Sequence, residues 1–301
     1  MAPNINSEEL IGYWGRPTST VDWCEKNYEF SIYVAEMSNT ISNLMMILPP
    51  LWGIKEIIKY KLDKIFILCQ ILLLTVGLGS TAFHMTLLYE MQFFDELPMV
   101  WGTCVSVYIL KNLSSEEPKQ IRNNGQNTLR KLVLASTLFF FAVSFTTIYL
   151  WWPQPFFQHT SFALLLFISF YLQYKITRNS QCSLCQKFLK FTIFFFVFGF
   201  SLWIIDKAAC SQLTSLRAKI PVYFNPVTQL HSWWHIFAGY ASYLQILLCI
   251  HSWYDLEISS SKKTLRFENG FSLRPTVSKS GDEINHRQLK DNTINYVSVT
   301  S

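Results

Sequence analysis

Charged residues are scarce in this 301-residue sequence. Only 15% of its residues are Asp, Glu, Lys or Arg, whereas ordinary soluble domains contain about 25%. Half of the residues are hydrophobic, with 25 Phe among them. This balance excludes a typical soluble domain and indicates a membrane protein. The net charge of +5 does not indicate a nucleic-acid partner, because the basic residues are divided among short loops and a tail.

Residues 1 to 32 also lack the apolar stretch and small-residue cleavage site of a secretory signal peptide. We therefore expect the first membrane-spanning helix to act as the targeting signal. A helix needs about 20 residues to cross the hydrocarbon core. Seven apolar segments approach or exceed that length: 33–54, 65–84, 93–110, 132–152, 160–174, 189–206 and 231–254. The sequence predicts an all-α integral membrane fold, a seven-transmembrane helix bundle over residues 33–254.

Lys and Arg are missing from two of the connections between these segments, 85–92 and 153–159. A third connection, 207–230, carries only three basic residues, whereas the three alternate connections carry 13 in total. Basic loops remain in the cytoplasm under the positive-inside rule. We therefore expect the N-terminus to face the lumen or exterior and the C-terminus to face the cytoplasm.

Five polar residues stand at the ends of the apolar segments: Ser80, His84, Asp95, His231 and His235. An ionisable side chain in hydrocarbon costs about 2.5 to 3.5 kcal/mol, so such residues indicate a functional site by default. The predicted topology brings all five to one lumenal depth, although they belong to three separate helices. Their convergence favours a common site.

The spacing of the histidines predicts a zinc site inside the membrane protein. His231 and His235 are four residues apart and share one helix face, the geometry by which H-E-x-x-H motifs bind zinc. With His84 as a third ligand, a fourth position remains for water, as in catalytic zinc sites. Ser80 is suited to hydrogen-bond an oxyanion and Asp95 to act as general base. Together they predict hydrolysis of a carbonyl compound that enters from the bilayer.

Each residue also has a purely structural interpretation. A histidine at a helix end is often an interfacial or packed side chain. Ser80 lies in GLGS, where small residues permit close helix packing. Asp95 and Glu96 precede Pro98 and would suit the N-terminal end of a helix at the membrane surface.

Four sequence blocks resemble those of the alkaline ceramidase family, most closely its type 3 members. The resemblance runs from about Gly12 to Tyr254 and is carried by GYWGRPTSTVDWCEKNY, EMSNTISNL, GLGSTAFHMTLLYEMQFFDELPM and QLHSWWHIFAGYASYLQIL. It implies a seven-helix intramembrane zinc amidase that cleaves the N-acyl amide of ceramide, releasing sphingosine and a fatty acid. The wider superfamily includes the adiponectin and progestin receptors.

The resemblance assigns roles to the same five residues. The family's zinc-binding histidines fall on His84, His231 and His235, and its catalytic serine and aspartate fall on Ser80 and Asp95. Every position carries the expected residue type.

The resemblance further implies a calcium site in the N-terminal segment, residues 1–32, completed by the start of the first helix. Its ligands would be the side chains of Asp22, Glu25, Asn27 and Glu36 and the backbone carbonyl of Trp23. Calcium binds six to eight oxygen atoms, which these groups and water would supply. Without the resemblance, an acidic stretch beside a membrane is more often simply solvated.

The cysteines divide by predicted compartment. Cys24 and Cys210 fall on the lumenal side, where oxidation is allowed, so we expect a disulfide between them. Cys182 and Cys185 form a C-x-x-C pair on the cytoplasmic side; we interpret them as reduced thiols, with metal binding or palmitoylation as alternatives. Residues 255–301 are rich in Ser, Thr, Asn and charge, which predicts a disordered cytoplasmic tail.

Two further functions stay open at this point: a receptor of the adiponectin or progestin type, and a related intramembrane lipid esterase. The DWCEKN block and the predicted orientation favour the amide hydrolase over the receptor. The partners expected for the hydrolase are the membrane itself and ceramide or a related sphingolipid. The expected location is the endoplasmic reticulum, the Golgi apparatus or both.

Overall fold

A computed structural model of the protein describes residues 11–114, 125–180, 182–258, 263–268 and 272–277. Helices dominate these residues. In chain order the elements are α1 (Met37–Ser42), α2 (Leu44–Lys59), α3 (Ile65–Thr86), α4 (Tyr89–Leu113), α5 (Gly125–Trp151), α6 (Pro155–Ser180), α7 (Ser183–Ala208), α8 (Cys210–Arg217), a 3-10 helix (Val222–Thr228), α9 (Leu230–Ile258), β1 (Lys263–Glu268) and β2 (Ser272–Val277).

Six helices of the described residues are long and apolar enough to cross a membrane: α3, α4, α5, α6, α7 and α9. They cover six of the seven predicted segments, so the multi-pass membrane architecture is confirmed. Large apolar side chains such as Phe140, Phe156 and Phe167 are exposed on the outer helices. Exposed apolar area on this scale suits contact with lipid rather than water.

The first predicted span, 33–54, is not one continuous helix, so the count of seven spans is not confirmed. Asn43 separates α1 from α2, and α2 is only 16 residues long with two prolines inside it. Polar side chains explain the break, because Ser42 Oγ and Asn43 Nδ2 both donate to the carbonyl of Asn39. Such local side-chain bonds compete with regular helix.

Helix α9 lies at the centre of the bundle. It packs against α1, α2, α3, α4 and α7. Within its membrane-spanning window 72% of the residues are buried, against 11% for the peripheral α5. The first turns of this helix therefore hold His231 and His235 inside the protein.

The turn between α3 and α4 is much tighter than the eight-residue loop expected at 85–92. Only Leu87 and Leu88 lie between the two helices, and Leu87 adopts a left-handed conformation with φ of 52°. Its carbonyl accepts hydrogen bonds from the backbone N–H groups of Thr18 and Ser19. The turn thus ties the N-terminal segment to the end of the bundle that carries His84.

The prediction of a disordered tail over 255–301 is wrong for part of that range. Helix α9 continues to Ile258, and β1 and β2 pair as antiparallel strands. Their sequences, KTLRFE and SLRPTV, place Leu265 and Phe267 two apart and Leu273 and Val277 four apart, spacings that put each pair on one face of a strand. The low overall hydrophobicity of the tail concealed this short pattern. Residues 278–301 lie outside the described residues.

Candidate active site

The three predicted zinc ligands come together in the structure. His84 is in the last turn of α3, and His231 and His235 are in the first turns of α9. Their ring centroids are 4.5 to 5.2 Å apart, and one ligand nitrogen from each lies within 4.8 Å of the other two. All three side chains are buried. This spacing suits one shared metal ion.

Polar groups from α1 and its start orient two of the imidazoles. His84 Nδ1 is 2.5 Å from Glu36 Oε2. His235 Nδ1 is 2.8 Å from Ser42 Oγ and 3.1 Å from the carbonyl oxygen of Asn39. Since Nδ1 is engaged in both rings, Nε2 is the nitrogen left to bind a metal. Carboxylate and carbonyl partners of this kind fix the tautomer of metal-binding histidines.

Two nitrogen atoms of the triad are buried without a hydrogen-bond partner among the described residues, His84 Nε2 and His231 Nδ1. Buried polar atoms almost always have a partner, so each exception requires an explanation. A cation between the rings would satisfy both atoms. The donor set, three buried imidazoles with carboxylate support, therefore fits zinc.

His231 is held from two further sides. Its ring stacks on Trp23, with centroids 3.5 Å apart and an interplanar angle of 17°, and Lys207 Nζ lies 3.8 Å from the Trp23 ring centroid. Its backbone N–H donates to Asp206 Oδ1 over 3.3 Å, and Asp206 Oδ2 accepts from the backbone N–H of Cys24. Asp206 was missed by sequence reasoning, although an aspartate that ends an apolar run was a usable signal.

Ser80 and Asp95 meet because α3 and α4 touch at Gly79. A Cβ at Gly79 would lie 2.0 Å from the backbone oxygen of Phe94. Gly79 therefore permits the close approach of the two helices. The structural interpretation of the sequence gives this packing role to Ser80. Ser80 itself is buried and lines a cavity with Asp95, one turn before His84. The packing role belongs to Gly79, and Ser80 remains available for chemistry.

A cavity of about 490 Å³ extends from this site into the bundle. Ser80, Asp95, His231 and His235 line it together with Glu96. Most of its remaining wall is apolar, including Leu72, Leu73, Met99, Phe162, Phe196 and Trp234. A pocket of this kind suits a ligand with a long apolar part and one polar group.

The predicted calcium ligands make different contacts in the structure. Glu25 accepts hydrogen bonds from the backbone N–H groups of Ser38 and Asn39 at 2.7 and 2.9 Å, which caps α1. Glu36 Oε1 and Asn27 Oδ1 are buried without a partner among the described residues. Burial raises the pKa of Glu25 to about 7.

Asp22 Oδ1 accepts from the backbone N–H of Trp23, and burial raises the pKa of Asp22 as well. In the part of the chain that the structure describes, three or more His, Cys, Asp or Glu ligand atoms gather within 4.8 Å at two places, the histidine triad and a group at the other end of α9. The predicted calcium ligands are not one of these places.

Cys24 and Cys210 lie at disulfide distance, with their Cα atoms 5.4 Å apart. The guanidinium of Arg217 donates to the carbonyl of Cys24 over 2.6 Å. Both contacts hold the N-terminal segment, with Trp23, against α8.

Replacing Gly79 with alanine should destabilise the protein strongly. The new methyl group would meet backbone atoms of α4 at 2.0 Å, so the helices must separate, and overpacking of this kind costs about 1 to 3 kcal/mol or more. Thermal unfolding in detergent measures the effect. The matched control is Gly102→Ala, whose Cβ meets its nearest neighbour at 3.6 Å. Equal stability of the two variants would contradict the close contact at Gly79.

These features define a multi-pass membrane protein with a candidate metal centre at the polar end of an apolar cavity. A profile of the Ceramidase family matches residues 15–278. The chain is 38% identical to mouse alkaline ceramidase 3, with 84% of this chain and 89% of that protein covered. It is 33% identical to the putative alkaline ceramidase dcd3A of Dictyostelium discoideum (80% and 89% covered) and 30% identical to alkaline ceramidase YPC1 of Saccharomyces cerevisiae (82% and 81% covered).

The chain belongs to the ceramidase family. The match to residue 278 includes the strand pair β1–β2. The family pattern therefore extends beyond Tyr254, where the resemblance described above ends.

Proposed function

We propose that this protein is a zinc-dependent amide hydrolase that cleaves ceramide into sphingosine and a free fatty acid within the membrane. One observation carries the proposal: three buried histidines, a serine and an aspartate meet at the polar end of an apolar cavity. Membership of the ceramidase family supplies the substrate class. The relatives named above carry the name alkaline ceramidase, in one case as putative, and none of the names supports the receptor or esterase alternatives.

Zinc would be held by His84, His231 and His235. When bound, it supplies a Lewis acid for the amide carbonyl and makes hydroxide available at moderate pH. Glu36 accepts the Nδ1–H of His84, and the pair formed by Ser42 and the Asn39 carbonyl engages Nδ1 of His235. These contacts keep the other nitrogen of each ring directed at one point.

Ser80 and Asp95 act on different atoms of the substrate: Ser80 on the carbonyl oxygen, and Asp95 on the attacking water and the amide nitrogen. The Ser80 hydroxyl donates to the carbonyl oxygen as that oxygen gains negative charge. The Asp95 carboxylate accepts a proton from the attacking water and later delivers it to the nitrogen as the C–N bond breaks. The products are a carboxylic acid and a primary amine, which together account for ceramide plus one water.

The cavity walls bind the hydrocarbon of the substrate. Apolar residues such as Leu73, Phe162 and Phe196 line it, so a chain that leaves the bilayer exchanges lipid contacts for equally apolar protein contacts. A ceramide placed with its amide beside Ser80 would extend its chains along these walls. The cavity thus orients a long substrate by its apolar chains. The amide of the substrate then lies beside Ser80 and Asp95.

The direct test is to incubate the purified full-length protein with long-chain ceramide at alkaline pH and to measure sphingosine and fatty acid by mass spectrometry. We expect equimolar products, loss of release after zinc chelation, and recovery on addition of zinc. No release by a folded, zinc-loaded protein would contradict the assignment. Release that is insensitive to chelation would contradict only the role of zinc and would leave the assignment as a ceramidase in place.

We also propose that calcium binds the N-terminal segment. The buried oxygens Asn27 Oδ1 and Glu36 Oε1 lack a donor among the described residues, and a cation would satisfy both. It would also favour the ionised forms of Asp22 and Glu25 against their burial. Because Glu36 contacts His84 and Trp23 stacks on His231, the ion would stabilise the surroundings of the triad.

Calcium should raise the thermal stability of the purified protein. A ligand that binds only the folded state stabilises it by about 2.7 kcal/mol at a concentration of 100 Kd. Asn27→Ala is the informative variant, because Asn27 Oδ1 has no partner in the described residues; the variant also loses the hydrogen bond between Asn27 and Asp22, so its Tm is compared with and without calcium. We expect the variant to lose most of the calcium-induced rise in Tm. An unchanged rise in Asn27→Ala would exclude Asn27 as a ligand.

Two further features complete the proposal. A disulfide between Cys24 and Cys210 would fasten the N-terminal segment in an oxidising lumen. The N-terminus would face that lumen and the C-terminus the cytoplasm, in the endoplasmic reticulum or the Golgi apparatus. The distribution of Lys and Arg supports this orientation.

A further inference from the structure

A second group of metal-binding side chains lies at the opposite end of α9 from the histidine triad. It consists of Cys182, Cys185 and His251, whose ligand atoms all lie within 4.8 Å of one another. His251 Nδ1 is 3.3 Å from Cys185 Sγ and 3.8 Å from Cys182 Sγ. Cys185 and His251 are buried and Cys182 is partly buried. This geometry joins two chain segments 66 and 69 residues apart.

The two cysteines have the spacing of a zinc-binding pair. In C-x-x-C motifs both sulfurs point to one side of a short turn, and this spacing recurs in zinc sites. Here Cys182 is the N-cap of α7, and its sulfur accepts the backbone N–H of Cys185 at 3.2 Å. The positive end of the helix dipole at this position favours thiolate over thiol. Thiolates and imidazole are the ligands that zinc and similar cations prefer.

This group is separate from the proposed catalytic centre. His251 follows His235 by 16 residues on α9, which corresponds to about 24 Å at 1.5 Å per residue. The histidine triad contains no sulfur ligand. Any sulfur-bound metal on this chain can therefore be distinguished from a metal at the triad by its spectrum.

We propose that Cys182, Cys185 and His251 form a second cation site, selective for zinc or another borderline-soft divalent cation, which joins the N-terminal end of α7 to the C-terminal end of α9. Three protein ligands leave one position for solvent or a fourth ligand. The same two helices meet at their other ends through Asp206 and the His231 backbone. The site would fasten this helix pair on the side away from the triad.

Cobalt reports directly on such a site, because a thiolate bound to Co²⁺ gives a near-ultraviolet charge-transfer band that imidazole ligands do not give. The experiment takes the full-length protein in detergent under reducing conditions, strips its metal with a chelator and titrates it with Co²⁺. We expect the charge-transfer band to saturate by two equivalents of cobalt, with one cobalt bound through sulfur per chain and the other taken up by the histidine triad. The band should persist in His231→Ala, which leaves the cysteine pair intact.

The double variant Cys182→Ser/Cys185→Ser should lose the band and bind one cobalt fewer per chain. His251→Gln should weaken cobalt binding at the cysteine pair at least tenfold. Cys104→Ser, a buried cysteine elsewhere in the bundle, is the matched control and should behave as the parent.

Absence of the band in the folded, reduced parent would overturn the proposal, as would its survival in the double cysteine variant. Peptide mass mapping that finds these cysteines acylated or disulfide-bonded to each other in the parent as purified would also count against it. The parent measurement decides even where a variant fails to fold, and none of these results depends on ceramide hydrolysis.

Discussion

Replacing His231 with alanine should reduce ceramide hydrolysis to background. Two nitrogen ligands would remain at His84 and His235, too few to hold zinc as the three-histidine site would. Metal catalysis contributes several kcal/mol to the stabilisation of the transition state, and each 1.36 kcal/mol corresponds to a factor of ten in rate. We therefore expect a loss of about 10³-fold or more in kcat/KM. The measurement is sphingosine release together with zinc content per chain.

His159→Ala provides the matched control for metal content. His159 also lines the cavity, but its ring contacts Trp203 rather than the triad, so its loss should leave the zinc content unchanged. A His231→Ala protein that keeps full zinc content and activity would exclude His231 as a ligand. Equal loss of zinc in both variants would indicate general damage to the bundle rather than removal of a ligand.

The surroundings of His231 show how the N-terminal segment contributes to the site. Trp23 stacks on the ring of His231 on one side and contacts Lys207 on the other. Lys207 also donates to the carbonyl of Asp22. A segment that the sequence marks only as polar and aromatic thus forms one wall of the candidate metal centre. This explains why a calcium ion or a disulfide in this segment would influence the geometry of the triad.

Most of the candidate site could be predicted from the sequence, because its signals are local. His231 and His235 are separated by one helical turn, and Ser80 and His84 likewise. The positive-inside rule then brings the ends of separate helices to one depth. Polar residues in apolar runs are costly enough to be conspicuous, which is why these residues stand out without any knowledge of the fold.

What the sequence could not predict depends on contacts between distant segments. The stacking of Trp23 on His231, the double role of Asp206 and the approach of His251 to Cys185 each join residues far apart in the chain. The interruption at Asn43 arises from side-chain hydrogen bonds that compete with regular helix. The apolar content of a segment does not reveal such bonds. Hydropathy detects a span but not the local break within it.

The second large effect concerns Asp95, whose replacement by asparagine should lower kcat by about 10² to 10⁴-fold, the usual contribution of a general acid–base group. Asparagine keeps the size of the side chain and cannot take up the proton of the attacking water. Zinc content should remain at the parent level, because Asp95 is not one of the grouped metal ligands. The measurement is a pH profile of sphingosine release, in which the variant should lose the limb that reports the base.

The adjacent carboxylate supplies the matched control for Asp95. Glu96 also borders the cavity, but its oxygens accept hydrogen bonds from Tyr149 and Gln92, so it is held as part of the packing between α4 and α5. Glu96→Gln should therefore keep activity within about tenfold of the parent while lowering Tm, since a buried hydrogen bond to a charged group contributes about 1.5 to 3 kcal/mol. The reverse pattern, an active Asp95→Asn and an inactive, stable Glu96→Gln, would transfer the role of general base to Glu96.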